Sequence, residues 1–260
     1  MTALRLQCSG PDELSDLAGS PCLPTLRRLG VDFEHVDEDL EWVQACQQLF
    51  RSASRLEELC LETRHSTLDI AAAAGALFNA PALRKFECDD LEVAVRFRAP
   101  LLRSFEFTNP WHRYTPVPDL AEWLASCPKL ERLDLDRIHL QDSQSLVRDL
   151  IAAGPSLRAL QSLMLTRTMV PVRDALKIAE ILGSSLLKFD FFAVGFADGF
   201  LARFLQVAPK LLSFQLFGRS GEPAEGAAVL PVSQDAASQI RHLTILPGFV
   251  DQPSLSAVSF

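Results

Sequence analysis

The reactive side chains that dominate this sequence are carboxylates. Asp and Glu number 33 against 25 Lys and Arg, a formal net charge of −8. Six of them, Glu62, Glu87, Asp89, Glu106, Asp134 and Asp136, recur at matching places in a repeated phrase. General acid–base work needs an isolated pair held in one pocket, whereas these are strung out along the chain. The motifs GxSxG and HExxH are missing, and the 12 glycines form no phosphate-binding loop. Five dispersed histidines and cysteines at 8, 22, 46, 60, 88 and 127 lack the short paired spacings of a zinc site. The cysteines read as free thiols used as small core residues in a reducing compartment. The sequence therefore predicts no enzyme, no cofactor and no metal.

The elements that carry the carboxylates repeat. APALRKFEC at 80–88 and APLLRSFEF at 99–107 are nearly the same phrase, with Leu83 and Leu102 only 19 residues apart. The template Leu-x-x-(Leu/Phe)-x-apolar also starts at Leu26, Leu56, Leu130, Leu160, Leu186, Leu211 and Ile240, mostly 25 to 30 residues apart. Leu4 and Leu6 look like the tail of an earlier copy, and LSAVSF from Leu255 fits at a shorter step. Fixed-period self-similarity of this length is the mark of a stacked repeat architecture.

The array resembles leucine-rich repeats of the long-repeat type, such as ribonuclease-inhibitor-like proteins and the repeat regions of F-box proteins. The resemblance implies an α/β fold: a right-handed solenoid, or horseshoe, with a parallel β-sheet on the concave face and mostly helices on the convex face. It implies one domain over 1–260, of about nine to eleven units. It implies a non-catalytic scaffold for another protein, or alternatively the substrate-recognition portion of an F-box-type ubiquitin ligase receptor. With repeats starting at Leu4, no F-box is expected ahead of them. The array is degenerate. The family's Asn/Cys position after the strand holds Glu34, Arg64, Leu91, Pro110, Ile138, Thr168, Val194, Arg219 and Gly248.

Between the strand phrases, apolar residues step at helical spacing. Val36, Leu40, Val43, Cys46 and Leu49 form one stripe, and Leu146, Val147, Leu150 and Ile151 another. Val172, Ala175, Leu176, Ala179 and Leu182 make a third, and Asp198 introduces Phe200, Leu201, Phe204 and Leu205. Asp119 is placed to cap a helix carrying Leu120, Trp123 and Leu124. The short unit around 83–102 differs, because Leu91, Val93, Val95 and Phe97 alternate like a strand. An extended, helix-less crossover is predicted there.

Strand side chains alternate, so the non-core template positions face the groove. Those positions hold Arg28, Glu58, Glu62, Lys85, Glu87, Asp89, Glu106, Arg132, Asp134, Asp136, Lys188, Asp190, Phe192 and Phe217. One reading is a groove that takes a basic segment of a partner protein at its centre and an apolar one at its C-terminal end. The other is a solvated sheet whose charges pair across strands, with a cap or tail folded over the two phenylalanines. Trp111 and Tyr114 in the proline-rich loop NPWHRYTPVP are either groove-side contacts or parts of a stiff connector. Overall acidity disfavours nucleic acid, no apolar run reaches a membrane span, and the start lacks a signal peptide. The expected location is cytoplasmic, with self-association through the terminal repeats as a further expectation.

Overall fold

The computed structural model describes residues 3–33, 40–62, 78–108, 119–137, 140–194, 200–219 and 240–247. The chain divides into two compact units, Met1–Pro110 with Val117–Leu130, and Trp111–Pro116 with Glu131–Phe260. Each is an α/β stack of repeated units in which strand, crossover and next strand follow one another in parallel.

The first unit contains β1 (Ala3–Cys8), α1 (Pro11–Ala18), β2 (Arg28–Phe33), α2 (Leu40–Ser52) and β3 (Glu58–Glu62). It continues with β4 (Phe78–Asn79), β5 (Lys85–Cys88), α3 (Leu91–Ala94), β6 (Phe97–Arg98), β7 (Ser104–Thr108) and α4 (Leu120–Ala125). Strands pair in the order β1-β2-β3-β5-β7, all parallel. The template leucines and phenylalanines drive this. Leu29, Leu59, Phe86 and Phe105 are at most 2% exposed, and the leading Leu26, Leu56, Leu83 and Leu102 likewise. Just before each strand, two successive amides donate to one carbonyl of the preceding rung. Glu57 and Glu58 reach Arg27 O, Arg84 and Lys85 reach Glu57 O, and Arg103 and Ser104 reach Arg84 O, at 2.8–3.0 Å. These shared bonds fix the register before the strand begins.

The crossover after β5 is not helix-less. Asp90 accepts bonds from Glu92 N (2.8 Å) and Val93 N (3.4 Å), which nucleates the single turn α3. Leu91, Val93 and Ala94 bury on it. The extended prediction holds only at Phe97 and Arg98, where β6 pairs in parallel with β4 in a separate two-stranded sheet. Phe97 lies against Phe50, Phe78 and Phe86 with ring centroids 4.8–5.0 Å apart. Its carbonyl accepts the Trp123 indole N–H at 2.9 Å. Asp119 also departs from expectation. It adopts left-handed φ 73° and its side chain makes no capping bond; its backbone carbonyl accepts from Trp123 N instead.

The second unit contains β8 (Arg132–Asp136), α5 (Leu140–Ala153), β9 (Ser162–Pro171), α6 (Val172–Leu182), β10 (Lys188–Val194), α7 (Phe200–Val207), β11 (Ser213–Arg219) and β12 (His242–Pro247). Its strands run β8-β9-β10-β11-β12, again parallel. Phe189, Phe191 and Phe204 stack and Phe214 meets Phe191 edge-on, making one aromatic core in which each ring is fully buried. Gly183 ends α6 where no side chain fits: a Cβ there would lie 2.2 Å from Val207 O and 2.3 Å from Ala179 O. Strand β9 carries an insertion. Leu165 is opposite Phe191, yet Met169 is opposite Phe192, so 166–168 bulge out. Thr168 is buried and its hydroxyl donates to Leu135 O at 3.3 Å, while Arg137 N donates to Thr166 O at 2.9 Å. The Thr168 hydroxyl also donates to Thr166 O at 3.3 Å, so it satisfies turning backbone at the insertion.

Candidate functional site

In each unit one side of the sheet is packed by core and the other carries the polar template positions. On the first unit these positions form in-register rows. Arg28, Glu58, Lys85 and Ser104 make one, and Gly30, Cys60, Glu87 and Glu106 the next. Asp32 and Glu62 are paired in a third. The first row puts unlike charges side by side on neighbouring strands, whereas the second sets Glu87 beside Glu106. Arg28 lies 3.2 Å from Glu58, and Lys85 is ion-paired with Glu87. The hydrogen bond to Glu87 holds the Lys85 ammonium above its ordinary pKa, with burial opposing it. Glu62 is engaged from two strands away by Arg5 at 2.8 Å. Cys60 sits amid these carboxylates. Burial first, then Glu87 and Glu62, push its thiol up to about 12.

Asp134, Asp136 and Asp190 do not behave as groove carboxylates. They are 7%, 7% and 5% exposed, as is Asp32 at 6%. Each of the three holds a nearby cation: Arg132 at 3.4 Å from Asp134, Arg137 at 3.5 Å from Asp136, and Lys188 at 3.0 Å from Asp190. Burial pushes the Asp190 carboxyl above its ordinary range, against the pull of Lys188. A cation two residues before a carboxylate on one strand is thus a recurring clamp, at 85/87, 132/134 and 188/190. In the second unit these carboxylates lie buried beside their cations. Lys188 also reaches Met164 Sδ at 3.5 Å.

Phe192 is half-buried, and the β9 insertion seats Met169 rather than Thr166 opposite it. The column of groove positions read from spacing is broken at that rung. Phe217 lies in β11, but its side chain is outside the described residues, as are Trp111 and Tyr114. Arg5 and Gly30 were not among the predicted contacts as a pair, although the alternation in Ala3–Cys8 aligned with β2 carries the signal.

The described residues include no group of three or more His, Cys, Asp and Glu placed to hold a metal ion. A cavity of about 10 Å³ lies in the first unit, lined by Cys46, Phe50, Phe78, Cys88, Asp90 and Phe97 among others. It is room for one water at most.

No family model and no curated protein matches this chain. Solved structures resemble it only distantly. One is an internalin (inlF) from Listeria monocytogenes, at 14% identity and TM-score 0.39, over 97% of this chain and 62% of that one. Another is TLR13 in complex with ssRNA13, at 12% identity and TM-score 0.41, over 95% of this chain and 38% of that one. The chain spans less than two thirds of the length of either. None of the described helices is long and apolar enough to cross a membrane.

Proposed function

We propose that the chain is a non-catalytic protein–protein interaction scaffold, and that a partner lays a basic segment on the strand face of the first unit. One observation carries this reading. Across 30–33, 60–62, 87–90 and 106–108, the trailing parts of the rungs at β2, β3, β5 and β7, there are six carboxylates and no Lys or Arg. The half-buried Glu62, Glu87, Asp89 and Glu106 make up this acidic face, with Glu62 and Glu87 ion-paired to Arg5 and Lys85. Like charge gathered on a rigid sheet draws a cationic segment and speeds its encounter. The rigidity comes from the fully buried reverse face, which limits the ordering cost of binding. In the second unit, half-buried Phe192 supplies an apolar contact of its own.

The test is Glu62→Lys/Glu87→Lys/Glu106→Lys, assayed by fluorescence anisotropy with a labelled Lys/Arg-rich peptide. Binding to the unaltered chain should weaken steeply with salt, and the triple variant should lose it. Equal affinity and equal salt dependence for both proteins would sink the reading. Asp134 and Asp190 are left intact because reversing a buried clamp would unfold rather than report.

A further inference from the structure

Between β5 and β6 the chain makes one turn, Asp90–Val95, whose bonds close on themselves. Ala94 N donates to Asp90 O at 3.3 Å, Val95 N to Leu91 O at 3.1 Å and Arg96 N to Val93 O at 3.1 Å. The Asp90 side chain completes the turn by accepting from Glu92 N and Val93 N. None of these bonds reaches a neighbouring rung. Cys88 Sγ, a weak donor at the end of β5, reaches Asp90 O at 3.3 Å. Burial of Leu91, Val93 and Ala94 fastens the underside.

That underside is backed by a void. Asp90 and Val93 border the small cavity that Cys46 and Phe50 of α2 share with Cys88 and Phe97. The chain is anchored on either side of the turn. Cys88 pairs opposite Phe107 in the large sheet, while Phe97 pairs opposite Phe78 and takes the Trp123 N–H on its carbonyl at 2.9 Å. A short segment with a void beneath it and fixed points at both ends is where local opening is least costly.

The carboxylate that caps this turn sits where a charge is unfavourable. Its own crossover sets Asp89 and Glu92 beside it, both negative. From β5 and α2 it meets the buried thiols Cys88 and Cys46, and from β2, β3, β4 and β6 the apolar Phe33, Leu61, Phe78 and Phe97. No ion pair joins Asp90 to a cation among the described residues. Burial outweighs the two amide bonds, Glu92 and Asp89 add to it, and the carboxyl is pushed up to about 6.

We propose that Asp90–Val95 is a proton-sensitive latch, which lies closed over the cavity when Asp90 is neutral and opens locally when Asp90 is charged. In the open turn the carboxylate regains water and its ordinary pKa of 3.8. The proton therefore favours the closed form. Closure is strongest below pH 3.8 and weakens as pH rises through 6. The latch does not depend on what binds the strand face. It makes this crossover tighter in mildly acidic surroundings than at neutrality.

Amide hydrogen exchange by NMR on the full chain tests the latch, with rates corrected for the intrinsic effect of pH. Between pH 7 and pH 5 the opening constant at Ala94 and Val95 should fall about tenfold. Low urea should leave it unchanged, since a local opening exposes little surface. Asp90→Asn keeps the cap without the titration, and should hold the turn closed at both pH values. Glu92→Gln removes one like charge and should move the response to lower pH. A carbon-detected titration of Asp90 gives its midpoint directly; a value in the ordinary Asp range overturns the proposal. Opening that ignores pH, or that keeps its pH dependence in Asp90→Asn, does the same. The latch is equally lost if Ala94 and Val95 exchange only together with Leu59 and Phe86 of the core, because the turn then has no opening of its own.

Discussion

Arg5 grips Glu62 from two strands away. Their side chains meet at 2.8 Å although β1 and β3 are separated by β2. The residue between them is Gly30, in register with Arg5, and a Cβ there would sit 3.1 Å from Arg5 Cγ. The arginine stem lies where a side chain is missing. Gly30→Val should therefore break the contact by displacing the stem, and Arg5→Ala should break it directly. Because Arg5 is 67% exposed, either loss should cost no more than about 1 kcal/mol through the ion pair itself. A urea titration of the Arg5→Ala variant checks this; a larger loss would mean that the strap holds β1 in place.

Asp90 makes the first unit sensitive to pH. Burial raises its carboxyl from 3.8 to about 6, opposed by the bonds from Glu92 N and Val93 N and reinforced by the Glu92 and Asp89 charges. The folded state thus favours the proton more than the unfolded chain does. That stabilisation is complete below pH 3.8, fades as pH rises towards 6, and is gone at neutrality. Asn caps a helix about as well as Asp and does not titrate. Asp90→Asn should raise stability at pH 7 by up to about 3 kcal/mol and flatten the slope between pH 4 and 6. Urea midpoints by tryptophan fluorescence at several pH values measure both.

Cys60 reports on the strand face. With its thiol pushed up to about 12, it should resist iodoacetamide in the folded protein at pH 8. Neutralising Glu62 and Glu87 together, as Gln, removes two of the causes and should speed its alkylation. Arg5→Ala should slow it, since Arg5 pulls the thiol the other way. Each unit of pKa is worth about tenfold in thiolate. Mass spectrometry of the Cys60 peptide over time gives the rates; indifference to all three changes would contradict the local electrostatics described above.

Gly183 should tolerate nothing larger. The atoms a methyl would strike are backbone carbonyls on two helices, Ala179 O and Val207 O, and neither can rotate away. Gly183→Ala is expected to cost about 3 kcal/mol or more by overpacking. Gly19→Ala, with ordinary contacts at 3.6 Å, should stay within about 0.5 kcal/mol of the parent. Thermal melts of the two variants make the comparison.

What could be read from the sequence is what burial enforces. Leu29, Leu59, Phe86 and Leu163 must face core on every rung, and their spacing announces the strands. Helices α2, α5 and α6 follow from apolar stripes for the same reason. The turn α3 escaped because Leu91, Val93, Val95 and Phe97 alternate as a strand would, while one carboxylate at Asp90 decides in favour of a helix. The sites were less legible than the fold. Spacing says which face Asp134 and Asp190 occupy, but not that Arg132 and Lys188 fold back on them and that both become buried. Nor does an alternating LRL announce that Arg5 will lie over a glycine on the next strand.

The three residues that bulge from β9 have a consequence for the whole stack. Beyond them Phe192 meets Phe217 and Lys188 meets Ser213 with no shift, so the strands from β10 to β12 stay in phase. The insertion behaves as a stacking fault healed within one layer. Thr168 and Arg137 suture the gap on the β8 side, and β10 receives an ordinary template. A lattice that repairs itself in a single step can accept added residues at a rung's end without re-indexing its neighbours. Drift in repeat length, from 19 to 30 residues here, then costs the array little of its order.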